Sequence, residues 1–334
     1  MKIKTALLES EIIKVINFLK KMNLRWEEDI IRTFYIEKDN KVIATASRSL
    51  DTIKCLAIDN DYQGYNLTTK LIEEVIKSFN QDKIYHYFVY TTINNVVIFN
   101  DLGFKEISRT DQVAVFEKGI NLIDEQLQKI KSTIEFHFTT KLENHSIGAF
   151  VGNCNPVTIG HIYLIEEMAK NHDFGIVFLV EEDLSFFSYK ERYSLLYLSL
   201  GHLDNVMIVP STKYMVSNLT FPSYFLTSPD EVIKEQTYLD AKIFKDYFVK
   251  AFNISKRYIA FETKDYMNTY NKSLKKVLLD KIIEVPRLKL GSEIISASKV
   301  RELVAGNQIN DALEYIPNNV KTLFKAIIES KNYE

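Results

Sequence analysis

The sequence predicts an α/β protein of two domains, an α+β half followed by a half built on a parallel sheet, and three observations carry that expectation. The chain has 334 residues, more than the roughly 100–200 of an ordinary domain. All 6 prolines (Pro156, Pro210, Pro222, Pro229, Pro286 and Pro317) fall after residue 155, so the chain changes character part-way along. Beyond that change, short apolar runs alternate with helical patterns in the order β-α-β-α-β, the rhythm of a parallel sheet covered by helices. The expected boundaries are a first domain at 1–120, a charged, helix-prone connector at 121–145 and a second domain at 146–334.

In the first domain, Ser10 to Lys21 places Ile12, Ile13, Val15, Ile16 and Leu19 on one helical face, and β-rich runs follow at Arg32 to Glu37, Lys41 to Ser47 and Thr52 to Ile58. A second amphipathic helix begins near Asn66, with Leu67, Leu71, Ile72, Val75, Ile76 and Phe79 at helical spacing. Then come a strand at Tyr85 to Tyr90, a short helix around Asn95 to Asp101 and two strands bracketing Asp111. In the second domain, Ile147 to Val151 reads as a buried strand and Gly160 to Asn171 as a helix. Gly175 to Val180 (strand), Lys190 to Leu200 (helix) and Val206 to Val209 (strand) follow. A sheet of this kind places its ligand at the carboxyl ends of its strands.

Composition narrows the function classes. Lys plus Arg at 42 against Asp plus Glu at 44 leaves a net charge of -2, so there is no global basic field for nucleic acid or an anionic membrane. The N-terminal stretch carries charge throughout, unlike a signal peptide, and no apolar run approaches the ~20 residues that span a bilayer. Two cysteines, Cys55 and Cys154, make no disulfide framework and point to a reducing, cytoplasmic setting. The dispersed histidines His86, His137, His145, His172 and His202 show no metal-ligand spacing, and no metal site is expected. Glycine is scarce: 10 in 334 residues is about 3%, against the usual ~7%. A chain so sparing with glycine places it where the backbone needs it.

Three of the 10 glycines, Gly148, Gly152 and Gly160, cluster around Gly152-Asn153-Cys154-Asn155-Pro156-Val157-Thr158-Ile159-Gly160-His161, a loop that leaves a strand and enters a helix. Backbone N–H groups at a helix start lack intrahelical partners and carry partial positive charge, so they suit an anion. His161 in the first turn adds a donor whose charge is normally available near pH 7. The alternative is a tight βα turn with Thr158 as a helix cap. Farther along, Ile295-Ser296-Ala297-Ser298-Lys299-Val300-Arg301 opens another helix. Only 8 of the 42 basic residues are arginine, and a planar guanidinium suits phosphate oxygens. Ser296 also fits a helix N-cap, and the two roles are compatible.

Gly152, Pro156, Thr158, Gly160 and His161 resemble the (H/T)-x-G-H signature of the nucleotidyltransferase superfamily, and Ile295 to Arg301 resembles its I-S-S/A-T/S-x-x-R signature. Asn153-Cys154-Asn155-Pro156, Phe178 to Asp183, Tyr189 with Arg192, Phe221 to Phe225, and Arg257-Tyr258 with Thr269-Tyr270-Asn271 resemble the citrate lyase ligase family over nearly the whole chain. The resemblance implies a GNAT-like α+β domain followed by a Rossmann-like nucleotidyltransferase domain. It implies ATP with Mg²⁺, acetate, and the thiol of the citrate lyase acyl carrier protein as reactants, with acetyl-thioester, AMP and pyrophosphate as products. Under it, His161, Thr158 and Arg301 are the catalytic residues. Gly152, Asn153, Asn155, Gly160, His161, Ser296, Ser298 and Arg301 bind the nucleotide.

Some positions depart from the family pattern. Thr158 replaces the first histidine of the signature, and Ala260-Phe261-Glu262-Thr263 stands where the family has a glycine-rich segment. In the first domain, Gln63-Gly64-Tyr65-Asn66-Leu67-Thr68 occupies the place of the acetyltransferase pyrophosphate loop, with Asn66 and Thr68 at its small-residue positions. Side chains there crowd a backbone approach to phosphate, so a recognition or scaffold role is expected for that domain. Glu181-Glu182-Asp183 is either a solvated loop or a cation or nucleotide site. Phe221 to Phe225 either lines an acyl pocket or packs a core. Two other functions share both signatures: an adenylyltransferase acting on a pantetheine-phosphate or nicotinamide-mononucleotide acceptor, and a nucleotide-binding regulatory protein without catalysis.

Overall fold

The computed structural model describes residues 1–181, 185–215, 221–226, 228–261 and 265–331, the side chains of 265–269 excepted. The chain forms two units, Met1–Leu122 with Val216–Leu239, and Ile123–Met215 with Asp240–Glu334. The stretch Val216–Leu239, inside the expected span 146–334, thus groups with the first unit. No helix among the described residues is long and apolar enough to cross a membrane.

The first unit carries a sheet of β1 (Ile3–Thr5), β2 (Arg32–Lys38), β3 (Lys41–Arg48), β4 (Thr52–Ile58), β5 (His86–Thr92), β6 (Lys105–Arg109) and β7 (Val113–Gly119). Its order is β1-β2-β3-β4-β5-β7-β6, antiparallel except for the parallel pair β4/β5. Successive strand residues point to opposite faces, and both faces here are apolar. Phe34 and Ile36 join Leu67, Leu71, Ile72, Val75 and Phe79 of helix Leu67–Gln81. Tyr35, between them, joins Val15, Phe18 and Leu19 of helix Glu9–Lys21. The strands β4 and β5 pair only at Thr52↔Phe88 and Ile53↔Val89. Beyond that point lies a cavity of about 740 Å³ bordered by Leu56, Ile58, Gly64, Val89, Thr91 and Tyr224.

The segment around Tyr224 is built into this unit. The backbone N–H of Arg25 donates to Tyr224 O at 2.9 Å, Ser223 N donates to Glu27 Oε1 at 2.7 Å, and the Tyr224 hydroxyl donates to Tyr90 O at 3.4 Å. Phe221 packs edge-on against Tyr90 with ring centres 5.7 Å apart. The aromatic run therefore packs the first unit's core, and Tyr224 and Phe225 also line its cavity.

The second unit carries β8 (Ile147–Gly152), β9 (Phe174–Leu179), β10 (Val206–Pro210), β11 (Ile254–Ala260) and β12 (Ile282–Val285). The order is β10-β9-β8-β11-β12, and every pair is parallel. The β-α-β-α-β rhythm foretells β8 to β10. The strands β11 and β12 complete the sheet on the other side of β8, so the strand order reverses between β8 and β11. Helix Ile159–Asn171 lies close on one face because Gly148 and Gly175, paired across β8 and β9, leave room for Met168. A Cβ on either glycine would come within 2.5 Å and 2.6 Å of Met168 atoms respectively. On the other face Phe178 of β9 meets the rings of Phe244, Phe248 and Phe252.

Candidate active site

In an open parallel sheet the crevice outside the strand ends, where the order reverses, is the expected ligand position. A cavity of about 740 Å³ lies there, and Gly152 at the end of β8 and Ala260 at the end of β11 both line it. So do Thr158, Gly160 and His161 of the first signature and Ser296 and Ser298 of the second. The two signatures meet at Gly160, where a Cβ would sit 3.3 Å from Ile295 Cγ2. Gly152 serves a packing need, since its Cβ would collide with the Phe150 ring at 2.5 Å.

Thr158 is the N-cap of helix Ile159–Asn171, and its side chain accepts from His161 N. In return the backbone N–H of Thr158 donates to His161 Nδ1 at 3.0 Å, and the Thr158 hydroxyl lies 3.0 Å from the same nitrogen. This is a capping box in which histidine takes the place usually held by Glu or Gln. A nitrogen that accepts from a backbone amide carries no proton, so the ring proton sits on Nε2, the other nitrogen of a ring that lines the cavity. Burial, with the nearby Arg287 guanidinium adding to it, lowers His161 to about 4. By sequence alone this histidine can carry charge near pH 7; in its folded setting it is a neutral donor. Thr158, 1% exposed, works on His161.

Ser296 caps helix Ala297–Ala305, accepting from Lys299 N at 3.2 Å. Arg301, one turn in, reaches back to Ser298 on the cavity wall and across to the first loop. Its Nη1 donates to the Asn155 carbonyl at 2.5 Å and its Nη2 to Ser298 Oγ at 3.2 Å. The two asparagines of the first loop are likewise engaged by protein. Asn155 Oδ1 accepts from Phe187 N at 3.0 Å, and Asn153 Nδ2 donates to Ser185 Oγ at 3.1 Å. Arg192, fully buried, donates to the carbonyls of Phe187 (3.1 Å), Asn153 (2.9 Å) and Val180 (2.8 Å). Cys154 is buried in the loop with its thiol pushed up to about 12 by desolvation, which removes it as a thiolate nucleophile.

Three further cations line the cavity: Arg257 and Lys299, which stand in the family-like strings without an expected role, and Arg287, which no motif marks. Arg257 is 2% exposed, its guanidinium lies 4.4 Å from the Phe244 ring centre, and its Nη2 donates to the Tyr270 hydroxyl at 3.2 Å. Lys299 was visible inside the second signature, but nothing in that string says which face of the helix it takes. His86, His145, His172 and His202 pair with Glu117, Thr140, Ser146 and Glu166 respectively. Glu182, Asp183, Glu262 and Thr263 lie outside the described residues, as does the side chain of Thr269.

Residues 147–324 match the family described as the citrate lyase ligase C-terminal domain. The chain belongs to the citrate lyase ligase family. Residues 10–128 match the acetyltransferase (GNAT) domain family, so the expected order of a GNAT-like half followed by a parallel-sheet half is borne out. Curated citrate lyase ligases resemble the chain along most of its length. That of Haemophilus influenzae is 29% identical over 90% of this chain and 91% of its own, and that of Klebsiella pneumoniae 28% identical over 94% and 93%. The phosphopantetheine adenylyltransferase of Streptococcus gordonii is 29% identical over 52% of this chain and 90% of its own length. Membership of the citrate lyase ligase family makes the chain an enzyme, a ligase.

Proposed function

We propose that this enzyme uses ATP to activate acetate and passes the acetyl group to the thiol of the citrate lyase acyl carrier protein. The supporting observation is His161, a neutral donor fixed in one tautomer by Thr158 at a helix start on the wall of the switch-point cavity. In the first step an acetate oxygen attacks the α-phosphorus of ATP in line. The bond from that phosphorus to the bridging oxygen breaks, pyrophosphate leaves, and acetyl-adenylate remains. In the second step the carrier thiolate attacks the acetyl carbonyl, AMP leaves with the electron pair, and the thioester is formed.

Displacement at phosphorus asks the protein mainly for positioning and charge stabilisation. His161 donates from Nε2 to an oxygen of the α-phosphate as its charge rises. A neutral imidazole suits this task, because it stays a donor throughout and gives up no proton to the solution. Gly160 and the helix start supply backbone donors beside it, and Ser296 and Ser298 face the departing β- and γ-phosphates. Glu302, exposed on the cavity wall, is the carboxylate that would help hold Mg²⁺ brought with the nucleotide, and the ion would offset phosphate charge there. The test is pyrophosphate exchange into ATP with purified protein. Exchange that requires acetate supports the reading, and its absence in protein that binds ATP defeats it.

A second reading draws on the similarity to phosphopantetheine adenylyltransferase: the same cavity joins the adenylyl group to a phosphate acceptor. Product analysis separates the two. Free AMP marks the ligase, and a stable dinucleotide-type product marks the transferase.

A further inference from the structure

Buried polar groups in folded proteins are almost always hydrogen-bonded, so each exception asks for a reason. Arg257, on β11 and on the wall of the switch-point cavity, is such an exception. Its Nε and Nη1 are buried without a hydrogen-bond partner. The rest of the guanidinium is fixed in place. Nη2 donates to the Tyr270 hydroxyl at 3.2 Å, that hydroxyl donates to Asp240 Oδ2 at 2.9 Å, and the same carboxylate oxygen lies 3.7 Å from Nη2. Desolvation, and after it the Asp240 charge, push the Tyr270 hydroxyl up, so it stays protonated and serves both partners. The Phe244 ring covers one face of the guanidinium. Leaving donors of a buried cation unpaired is costly within the protein, and an anionic ligand offsets that cost. Tyr258, the next residue of β11, turns its ring to His172 at the end of helix Ile159–Asn171. Successive strand residues take opposite faces, so Arg257 lies on the face away from the helix that carries His161. An attacking carboxylate and a leaving pyrophosphate lie on opposite sides of the phosphorus, and a cavity with donors from both faces of the sheet suits that requirement.

We propose that Arg257 takes the carboxylate of acetate, holding one of its oxygens through the unpaired N–H groups while the other attacks the α-phosphorus. This rests on the reading of the cavity as the acetate-activating site. Arg257 then touches the substrate, and Tyr270 is a positioning residue that acts through it. A carboxylate brought up to a triphosphate is repelled by it, and a cation shielded from water offsets that repulsion more strongly than an exposed one. Nε and Nη1 are shielded from solvent, so a ligand reaches them by a side-chain rotation at the wall, which favours a small acid over a long one. The acetate oxygen forms the bond to phosphorus, pyrophosphate takes the electron pair of the bond that breaks, and Arg257 keeps its protons throughout.

The test measures exchange of pyrophosphate into ATP over a range of acetate concentrations, with ATP affinity by calorimetry and melting temperature alongside. It compares the unaltered enzyme with Arg257→Met, Arg257→Lys and Tyr270→Phe. Arg257→Met is expected to raise the acetate KM at least about tenfold, as loss of a charge-assisted contact does, with ATP affinity unchanged. Arg257→Lys keeps the charge but loses the planar fork, and its KM is expected to fall between those of the unaltered enzyme and Arg257→Met. Tyr270→Phe keeps the ring and frees the guanidinium, and is expected to raise the acetate KM a few-fold with a smaller change in kcat. An unchanged acetate KM in Arg257→Met overturns the proposal. If that variant does not fold, Arg257→Lys and Tyr270→Phe decide, and an unchanged acetate KM in both overturns it equally. So does a loss of ATP affinity that accompanies the rise in KM, which makes Arg257 a nucleotide contact instead. Unaltered enzyme whose exchange does not require acetate overturns the acetate reading of the cavity itself, and this outcome is visible before any variant is compared.

Discussion

Arg301 Nη1 lies 2.5 Å from the carbonyl oxygen of Asn155, a hydrogen bond between residues 146 apart in sequence. The same side chain holds Ser298. One guanidinium therefore joins the loop after β8 to the start of helix Ala297–Ala305, and residues of both signatures form one rim of the cavity. The catalytic consequences concern the residues on that rim.

His161→Ala removes the Nε2 donor. Loss of one preorganised donor commonly costs about 2.7–4 kcal/mol in the transition state, so acetate-dependent exchange of pyrophosphate into ATP should fall roughly 10²–10³-fold. A helix start alone, worth about 0.3–1 kcal/mol, does not replace it. Near-normal exchange in the variant would remove His161 from the mechanism.

The pH dependence of stability follows from the same residue. His161 titrates at about 4 in the folded protein against 6.5 when free. Between those values the unfolded chain binds more protons than the folded one, so stability rises with pH across that window. The protein should lose stability as pH falls from 6.5 towards 4, where protonation of Nδ1 also breaks the bond from Thr158 N. Urea titrations at several pH values should show a shallower slope for His161→Asn. Equal slopes would contradict the lowered value.

Gly160→Ala separates stability from activity. Gly160 has no positive φ, and alanine in place of glycine at such a position is favourable by roughly 0.4–1 kcal/mol, while the new Cβ would press on Ile295 at 3.3 Å. Melting temperature should hold or rise slightly. Exchange activity should drop, because small displacements of reacting groups cost up to about 10²-fold. A variant with full activity would show that the two signatures tolerate separation.

Arg192→Met should destabilise the second unit. Three carbonyls, those of Phe187, Asn153 and Val180, lose their donor in a fully buried place, at about 1–3 kcal/mol for each unsatisfied group. Chemical denaturation should register a loss of several kcal/mol. A change below about 1 kcal/mol would mean that the carbonyls find other donors.

Both thiols should resist alkylation in the native protein. Cys55 and Cys154 are buried, and desolvation pushes each up to about 12. Mass spectrometry after treatment with iodoacetamide at pH 8 should find neither modified until denaturant is added. Rapid native labelling of Cys154 would reopen a nucleophilic role for it.

Much of this protein is legible one segment at a time, because amphipathic periodicity and capping are local. Ile147 to Val151 reads as a strand and Gly160 to Asn171 as a helix from their own residues, and the strand ends differ from the observed ones by a residue or two. The loop between them can be read as an anion-binding turn because the glycines, Thr158 and His161 lie within one short string. The strands β11 and β12 are less legible, since nothing local says that they join β8 on the side away from β9. Phe221 to Phe225 is equally silent about which unit it packs into, because an aromatic run suits any core.

The sequence by itself determined the two-part architecture, the strand–loop–helix entry to the site and the family, since each rests on residue order and short-range spacing. Only the tertiary structure decided that burial lowers His161 to about 4, that Cys154 is buried, and that Arg301 joins Asn155 to Ser298. The reason is physical. Charge state depends on burial and on neighbours from distant segments. The direction a side chain takes depends on what its helix is packed against, and Gly148, Gly175 and Gly160 matter through the close approaches they permit: Met168 over Gly148 and Gly175, and Ile295 against Gly160.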